Sequence, residues 1–295
     1  MIKDIKNVLT FAAFRPEADD RSATWTRRFP HQKTLLLNVS KARTSWRQVG
    51  RKGQLLDGGT LEGDFKDISG QMGLAWEDMT DEGWCCVSLN SRYVISLETN
   101  LSRSKAVEDV ITTNPRAILG GRYEKGKRYA ITHNPESNTS LVLAIDEDAV
   151  RKMETSLKEH ELAPGRICVG TYAMLRNLLE LVHDGKDTST RGEGDEGKGN
   201  LFVVCCEGSF CALLEQDDQW IELRSRSDLY TDSMDPVIDL VSSFANRLAA
   251  GSNIYVVTDQ AGSPLAPALY EKFPNLTISD FSKPDHLWSI LAETD

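Results

Sequence analysis

Apolar and polar positions alternate in short blocks along this chain, and the blocks read as elements. Residues 1–32 are polar and arginine-bearing after Ile2, Ile5, Val8 and Leu9, whose spacing suits one helical face; such a segment reads as a loosely held extension. The runs TLLLNV over 34–39 and TSWRQV over 44–49 predict two strands joined by a short turn, and 53–63 a third strand broken by Gly58-Gly59. Phe65, Ile68, Met72 and Trp76 recur at helical spacing over 64–79, and the pattern returns to strand at 84–89. A strand over 93–97, a helix over 104–112 and strands over 128–132 and 141–145 then suggest a small α/β insertion at about 90–145. Asp146 is placed to cap a helix bearing Val150, Met153 and Leu157, which Ala163-Pro164-Gly165 stops before a strand over 166–169. A helix over 172–182 follows, with Leu175, Leu178, Leu179 and Val182 on one face.

Residues 184–199, DGKDTSTRGEGDEGKG, offer no apolar anchor and read as a flexible linker or loop. The pattern then begins again. Strands are predicted over 201–206, 210–215 and 220–225, then a helix capped by Asp235 with Pro236 as its first residue and Val237, Leu240, Val241, Phe244 and Leu248 on one face. A strand over 254–257, a helix over 264–273, a strand over 276–279 and a helix from Pro284 complete the chain. The boundaries are thus an extension over 1–32, a first half over 33–183, the polar stretch 184–199 and a second half over 200–295.

Length and charge narrow the function. At about 150 residues per domain, 295 residues predict two packed units. A formal charge of -10, from 34 Lys and Arg against 44 Asp and Glu, gives a phosphate-tracking surface no global support, so no nucleic-acid partner is expected. Nothing approaches the roughly 18 consecutive apolar residues of a spanning helix, and the chain reads as soluble and intracellular. The cysteines Cys85-Cys86, Cys168, Cys205-Cys206 and Cys211 include no CxxC; neighbours on a strand face opposite ways, so neither pair presents both sulfurs to one metal. The five histidines are scattered, and no metal site is expected. A serine or cysteine hydrolase is disfavoured because CEGSF over 206–210 lacks the glycines of a nucleophile elbow.

Both halves therefore run three strands, helix, strand, helix, strand, helix, with the insertion only in the first. This duplicated order resembles the actin-like ATPase fold, two ribonuclease H-like halves, and within it the type IV pilus assembly protein PilM and the cytoplasmic domain of the type II secretion protein GspL. The resemblance covers about 33–295 and rests mostly on element order, with landmarks at 157–181 and 254–269. It implies two phosphate-binding turns, one per half, and a glycine-rich turn under the adenosine. The first turn, D-I-G-S-S-S-x-K in PilM, matches Asn38-Val39-Ser40-Lys41-Ala42-Arg43-Thr44-Ser45, so Asn38 replaces the acid, Ser40 the glycine and Ser45 the lysine. The second, D-I-G-x-x-x-T, matches 204–210, with Val204 for the acid, Cys206 for the glycine and Glu207 adding a negative charge. The adenosine turn G-G-G-A reads Thr258-Asp259-Gln260-Ala261, its following proline kept as Pro264.

Glycine lets amides approach phosphate oxygens and an acid orients magnesium-bound water, so losing both predicts no ATP hydrolysis and no cofactor. Lys41 and Arg43 keep the alternative open, a divergent ATPase using ATP and magnesium. The resemblance further implies a scaffold, peripheral at the cytoplasmic face of the inner membrane and open to homo-oligomerisation, that holds the tail of a PilN-like membrane partner as an extended peptide. The candidate receptors are the strand with Tyr93 and Ile95 and the helix with Val107, Val110 and Ile111; the same apolar residues would equally fill the insertion's own core.

Overall fold

The computed structural model describes residues 33–40, 42–50, 54–63, 84–89, 94–101, 104–133, 139–159, 162–184, 198–216, 219–227, 229, 234–259 and 262–292. The extension over 1–32, the helix expected over 64–79 and most of the polar stretch 184–199 lie outside them.

The first half opens with β1 (Lys33–Val39), β2 (Arg43–Gly50) and β3 (Leu55–Glu62), followed by β4 (Trp84–Leu89). The insertion contributes β5 (Val94–Asn100), α1 (Lys105–Thr113), α2 (Pro115–Leu119), β6 (Lys127–His133) and β7 (Thr139–Asp146). Then come α3 (Glu147–Glu159), β8 (Ala163–Val169) and α4 (Gly170–Asp184). The second half runs β9 (Gly199–Cys206), β10 (Ser209–Gln216), β11 (Gln219–Arg226), α5 (Asp235–Ala245), β12 (Asn253–Thr258), α6 (Leu265–Lys272), β13 (Thr277–Asp280) and α7 (His286–Ala292).

The two halves build the same sheet twice. The first sheet has the order β3-β2-β1-β4-β8 and the second β11-β10-β9-β12-β13. In each, the first strand pairs antiparallel with the second and parallel with the fourth to enter the sheet. The insertion forms its own sheet, β5-β7-β6. The parallel-paired strands β1, β4 and β9 are buried on both faces, which is why their residues read as near-continuous apolar runs, whereas the antiparallel outer strands β3 and β11 keep exposed positions. Helices α4 and α7 lie between the two sheets, α4 against β9, β10 and β12 and α7 against β1 and β4. One core cluster therefore crosses the molecule, from Leu35 and Leu37 through Tyr172, Leu175 and Leu287 to Phe202 and Val204. A second cluster packs α5 and α6 on the outer face of the second sheet, and a third, around Ile111, Leu119, Tyr129 and Val142, belongs to the insertion.

Three local expectations are corrected. Gly58 and Gly59 do not break β3, which runs through both. A Cβ on Gly59 would lie 2.9 Å from Trp46 Nε1 and one on Gly58 2.7 Å from Arg47 Cδ, so the pair gives way to side chains crossing from β2. Gly59→Val is expected to cost about 1–3 kcal/mol by displacing the nearly buried Trp46; an unchanged urea midpoint would refute this. Ala163-Pro164-Gly165 does not precede a strand but starts β8, where the pairing with β4 shifts between Cys85 and Cys86. Asp235 does not cap α5: it is the first helical residue, and Met234 occupies the cap position without a side-chain bond. Asp146 does cap α3, its Oδ1 accepting from Asp148 N–H (3.0 Å) and Ala149 N–H (3.3 Å).

Candidate functional site

Topology brings the first hairpins of the two halves together. Asn38 lies opposite Ser45 in β1–β2, and Val204 lies opposite Cys211 in β9–β10, at the same spacing along the chain. The alignment of the two turn sequences is thus a structural equivalence, with Ser40 matching Cys206. Ser40 closes its own turn, its N–H and Oγ donating to the Arg43 carbonyl (3.0 and 2.8 Å) while its Oγ accepts from Arg43 N–H (3.0 Å). In the second half Glu207 and Gly208 have φ of 44° and 72°, the positive values that a type I′ hairpin turn requires at both central residues. For Glu207 this left-handed conformation costs about 1 kcal/mol.

A polar row crosses the first sheet beside this turn. Thr60 Oγ1 donates to Ser45 Oγ (3.2 Å), Ser45 Oγ to Glu207 Oε2 (3.4 Å) and Ser88 Oγ to Asn38 Oδ1 (2.8 Å). Arg43 Nη2 stands 3.7 Å from the same Glu207 oxygen, and Glu207 N–H donates to Asp259 Oδ2 (3.0 Å). Arg47 completes the edge by stacking 4.9 Å over Trp288 of α7. The carboxylate of the second half thus lies against the hydroxyl and guanidinium of the first.

The Glu207 and Asp259 carboxyl groups share this junction with the Arg43 and Arg47 guanidinium groups. Burial pushes the Glu207 carboxyl up, the nearby Asp259 charge adds to it, and Arg43, Arg47 and Ser45 oppose it only in part. Burial likewise raises Asp259. The Cys205 thiol is pushed up to about 12 by burial and by Asp259, and burial also carries Cys206, Cys211 and Cys85 upward. These thiols stay protonated and unreactive near neutral pH.

The sequence-predicted residues divide accordingly. Ser45 and Asp259 both bond to Glu207, and Asn38 lies opposite Ser45 on the neighbouring strand with its Oδ1 turned to Ser88. Val204 is fully buried in the core that joins the halves, Cys206 is buried, and Thr258 is buried with its N–H given to Ser282 Oγ (2.8 Å). Gln260 and Lys41 lie outside the described residues. Sequence spacing did not reveal Thr60 or Ser88: they reach Ser45 and Asn38 only through lateral strand pairing.

In the insertion, Ile111 is fully buried in its local core, so it supports α1 and does not itself present a surface. Val107 and Val110 keep partial exposure. Ile95 lies on β5 opposite Ala144, and Tyr93 lies outside the described residues. The strand β5 is an edge of its sheet, and it packs near β11 of the second half.

The repeated five-stranded sheet with helices between its two copies decides the architecture. The chain has the actin-like ATPase fold. The structure of a PilM–PilN type IV pilus biogenesis complex is similar to this actin-like chain with a TM-score of 0.53 and 13% identity, covering 87% of this chain and 89% of that one. The cytoplasmic domain of EpsL, an inner-membrane component of the type II secretion system of Vibrio cholerae, scores 0.50 at 12% identity, covering 88% and 92%. At such identities the likeness is one of fold. No protein-family profile and no curated protein sequence matches the chain. Among the described residues, no helix of this actin-like body is long and apolar enough to cross a membrane, and no group of three or more metal-ligating side chains gathers.

Proposed function

We propose that this protein is a PilM-like scaffold that binds the cytoplasmic tail of an inner-membrane partner in a type IV pilus or type II secretion assembly, without hydrolysing ATP. The observation that carries the loss of hydrolysis is the Glu207 carboxylate set against Arg43 and Ser45, where a phosphate anion would meet negative charge. The fully buried Val204 supports it, since an alkyl group in the core cannot orient magnesium-bound water. The shared fold with PilM from a PilM–PilN complex, and with the EpsL cytoplasmic domain, supports the assembly role and a place at the inner face of the inner membrane.

The partly exposed α1 positions Val107 and Val110, on the β6 side of the insertion sheet, and the edge strand β5 on its other side are the receptor candidates in this reading, and α1 is the one tested. In a calorimetric titration with a PilN-like tail peptide, Val110→Asp is expected to weaken binding about tenfold or more, because it desolvates a carboxylate in an apolar contact. Undiminished affinity would remove α1 as the receptor. Excess MgATP is expected to leave the melting temperature unchanged; a rise of several degrees would favour the divergent ATP-binding alternative, whose ligands would include Arg43.

A further inference from the structure

We propose that Glu207 is a built-in clasp that ties the two halves of the molecule together at their hairpin turns. A two-residue type I′ turn is best served by Asn-Gly, and the chain instead holds a glutamate at φ 44°. That choice costs backbone energy and gains a side chain long enough to leave its own half. Its Oε2 receives the Ser45 hydroxyl at 3.4 Å and faces Arg43 Nη2 at 3.7 Å, both on β2 of the other half. The turn is anchored behind it, because Glu207 N–H donates to Asp259 Oδ2 at 3.0 Å at the end of β12. The bridge is sheltered: the side chains of Arg43 and Glu207 are 33% and 17% exposed, so water screens it less than a surface pair. Elsewhere the halves are joined by apolar packing around α4, which is non-directional. They are also joined by directional contacts of other residue pairs, Tyr172 Oη to Ser225 Oγ (3.4 Å), Trp220 N–H to Thr139 Oγ1 (3.5 Å), His286 Nε2 with Asn177 Oδ1 (3.1 Å) and Arg47 over Trp288. Glu207 is the turn residue that bears on the separation of the two hairpin turns. The clasp sets it with no bound ligand, and it stands whether or not a tail peptide binds.

The turn role and the clasp role predict opposite signs. Glu207→Asn keeps a residue that tolerates positive φ and creates Asn-Gly, so a residue serving only the turn would leave the hairpins slower to open. If Glu207 is a clasp, amide hydrogen exchange over 36–48 in the full-length protein rises about tenfold in Glu207→Asn and also in Ser45→Ala, while exchange over 139–145 in the insertion core is unchanged. Glu207→Gln, which keeps length and loses charge, is expected to fall between. Exchange over 36–48 that is unchanged or slower in Glu207→Asn overturns the clasp. Loss of tail binding or appearance of ATP hydrolysis would bear on the scaffold reading and leave this result untouched.

Discussion

Replacing Arg128 with methionine is expected to lower the unfolding free energy by about 3–5 kcal/mol. Arg128 on β6 carries a bidentate pair to Glu154 (2.7 and 2.9 Å) and a third bond from Nε to Glu147 Oε2 (2.6 Å), both partners on α3. Glu154 is 4% exposed, so without the guanidinium its carboxylate is left buried and unpaired. Geometry of this kind ties the insertion to the helix that follows it, and Arg151 extends the network by donating to Glu147 Oε1 (2.8 Å). The double variant Arg128→Met with Glu154→Leu is expected to recover most of the loss, since a buried pair replaced by apolar groups is often neutral. Urea denaturation measures both. A single variant within about 1 kcal/mol of the wild type would show that Glu154 finds water or another donor.

The same network sets the acid response. Burial pushes the Glu147 carboxyl up, but hydrogen bonds from Arg128 and Arg151 outweigh it and hold the group below its ordinary value of 4.5. The unfolded chain then takes up a proton at Glu147 before the native state does. This contribution is full above about pH 4.5 and is lost as pH falls through the lower native value. Arg128→Met is expected to flatten that acid-side decline. Glu207 and Asp259 act in the opposite sense, because their raised values make the native state hold protons that the unfolded chain has released.

Restoring an acid at the second-half turn should unfold the protein before it restores any magnesium chemistry. Val204 is fully buried between Cys211 of β10 and Val257 of β12, inside the cluster that joins the halves. Val204→Asp places a carboxyl there with no cation in contact, and a loss of at least about 3 kcal/mol is expected, with the group held protonated. Asn38→Asp is the milder counterpart, because Asn38 already accepts from Ser88 Oγ and lies at the junction. Thermal unfolding with and without magnesium separates the cases. A folded Val204→Asp protein stabilised by magnesium would mean that the turn retains a working cation site, and the scaffold reading would fall.

Much of the fold was legible along the chain because its signals are local. Leucine and valine runs ended by turn residues located all the strands of both sheets, and helical spacing located α3, α4, α5 and α6. The repeat of that order pointed to two equivalent halves, and the strand orders bear this out. Local signals failed where a distant neighbour decides. Gly58-Gly59 reads as a break in isolation, and it is a continuous strand because Trp46 and Arg47 need the space. Ile111 reads as either core or receptor, and the packing of α1 on β6 buries it.

At the candidate site the amino-acid order places Asn38, Ser40, Val204 and Cys206 where the resemblance to PilM implies an acid and a glycine in each turn. It also located the turns, because the strands on either side hold them in register. It was silent on where the altered side chains go. Glu207 meets Arg43 and Ser45 across more than 160 positions of chain, a separation at which no periodicity links residues. That contact exists because two copies of one sheet close on shared central helices and bring their first turns together, and such closure is a property of packing in three dimensions.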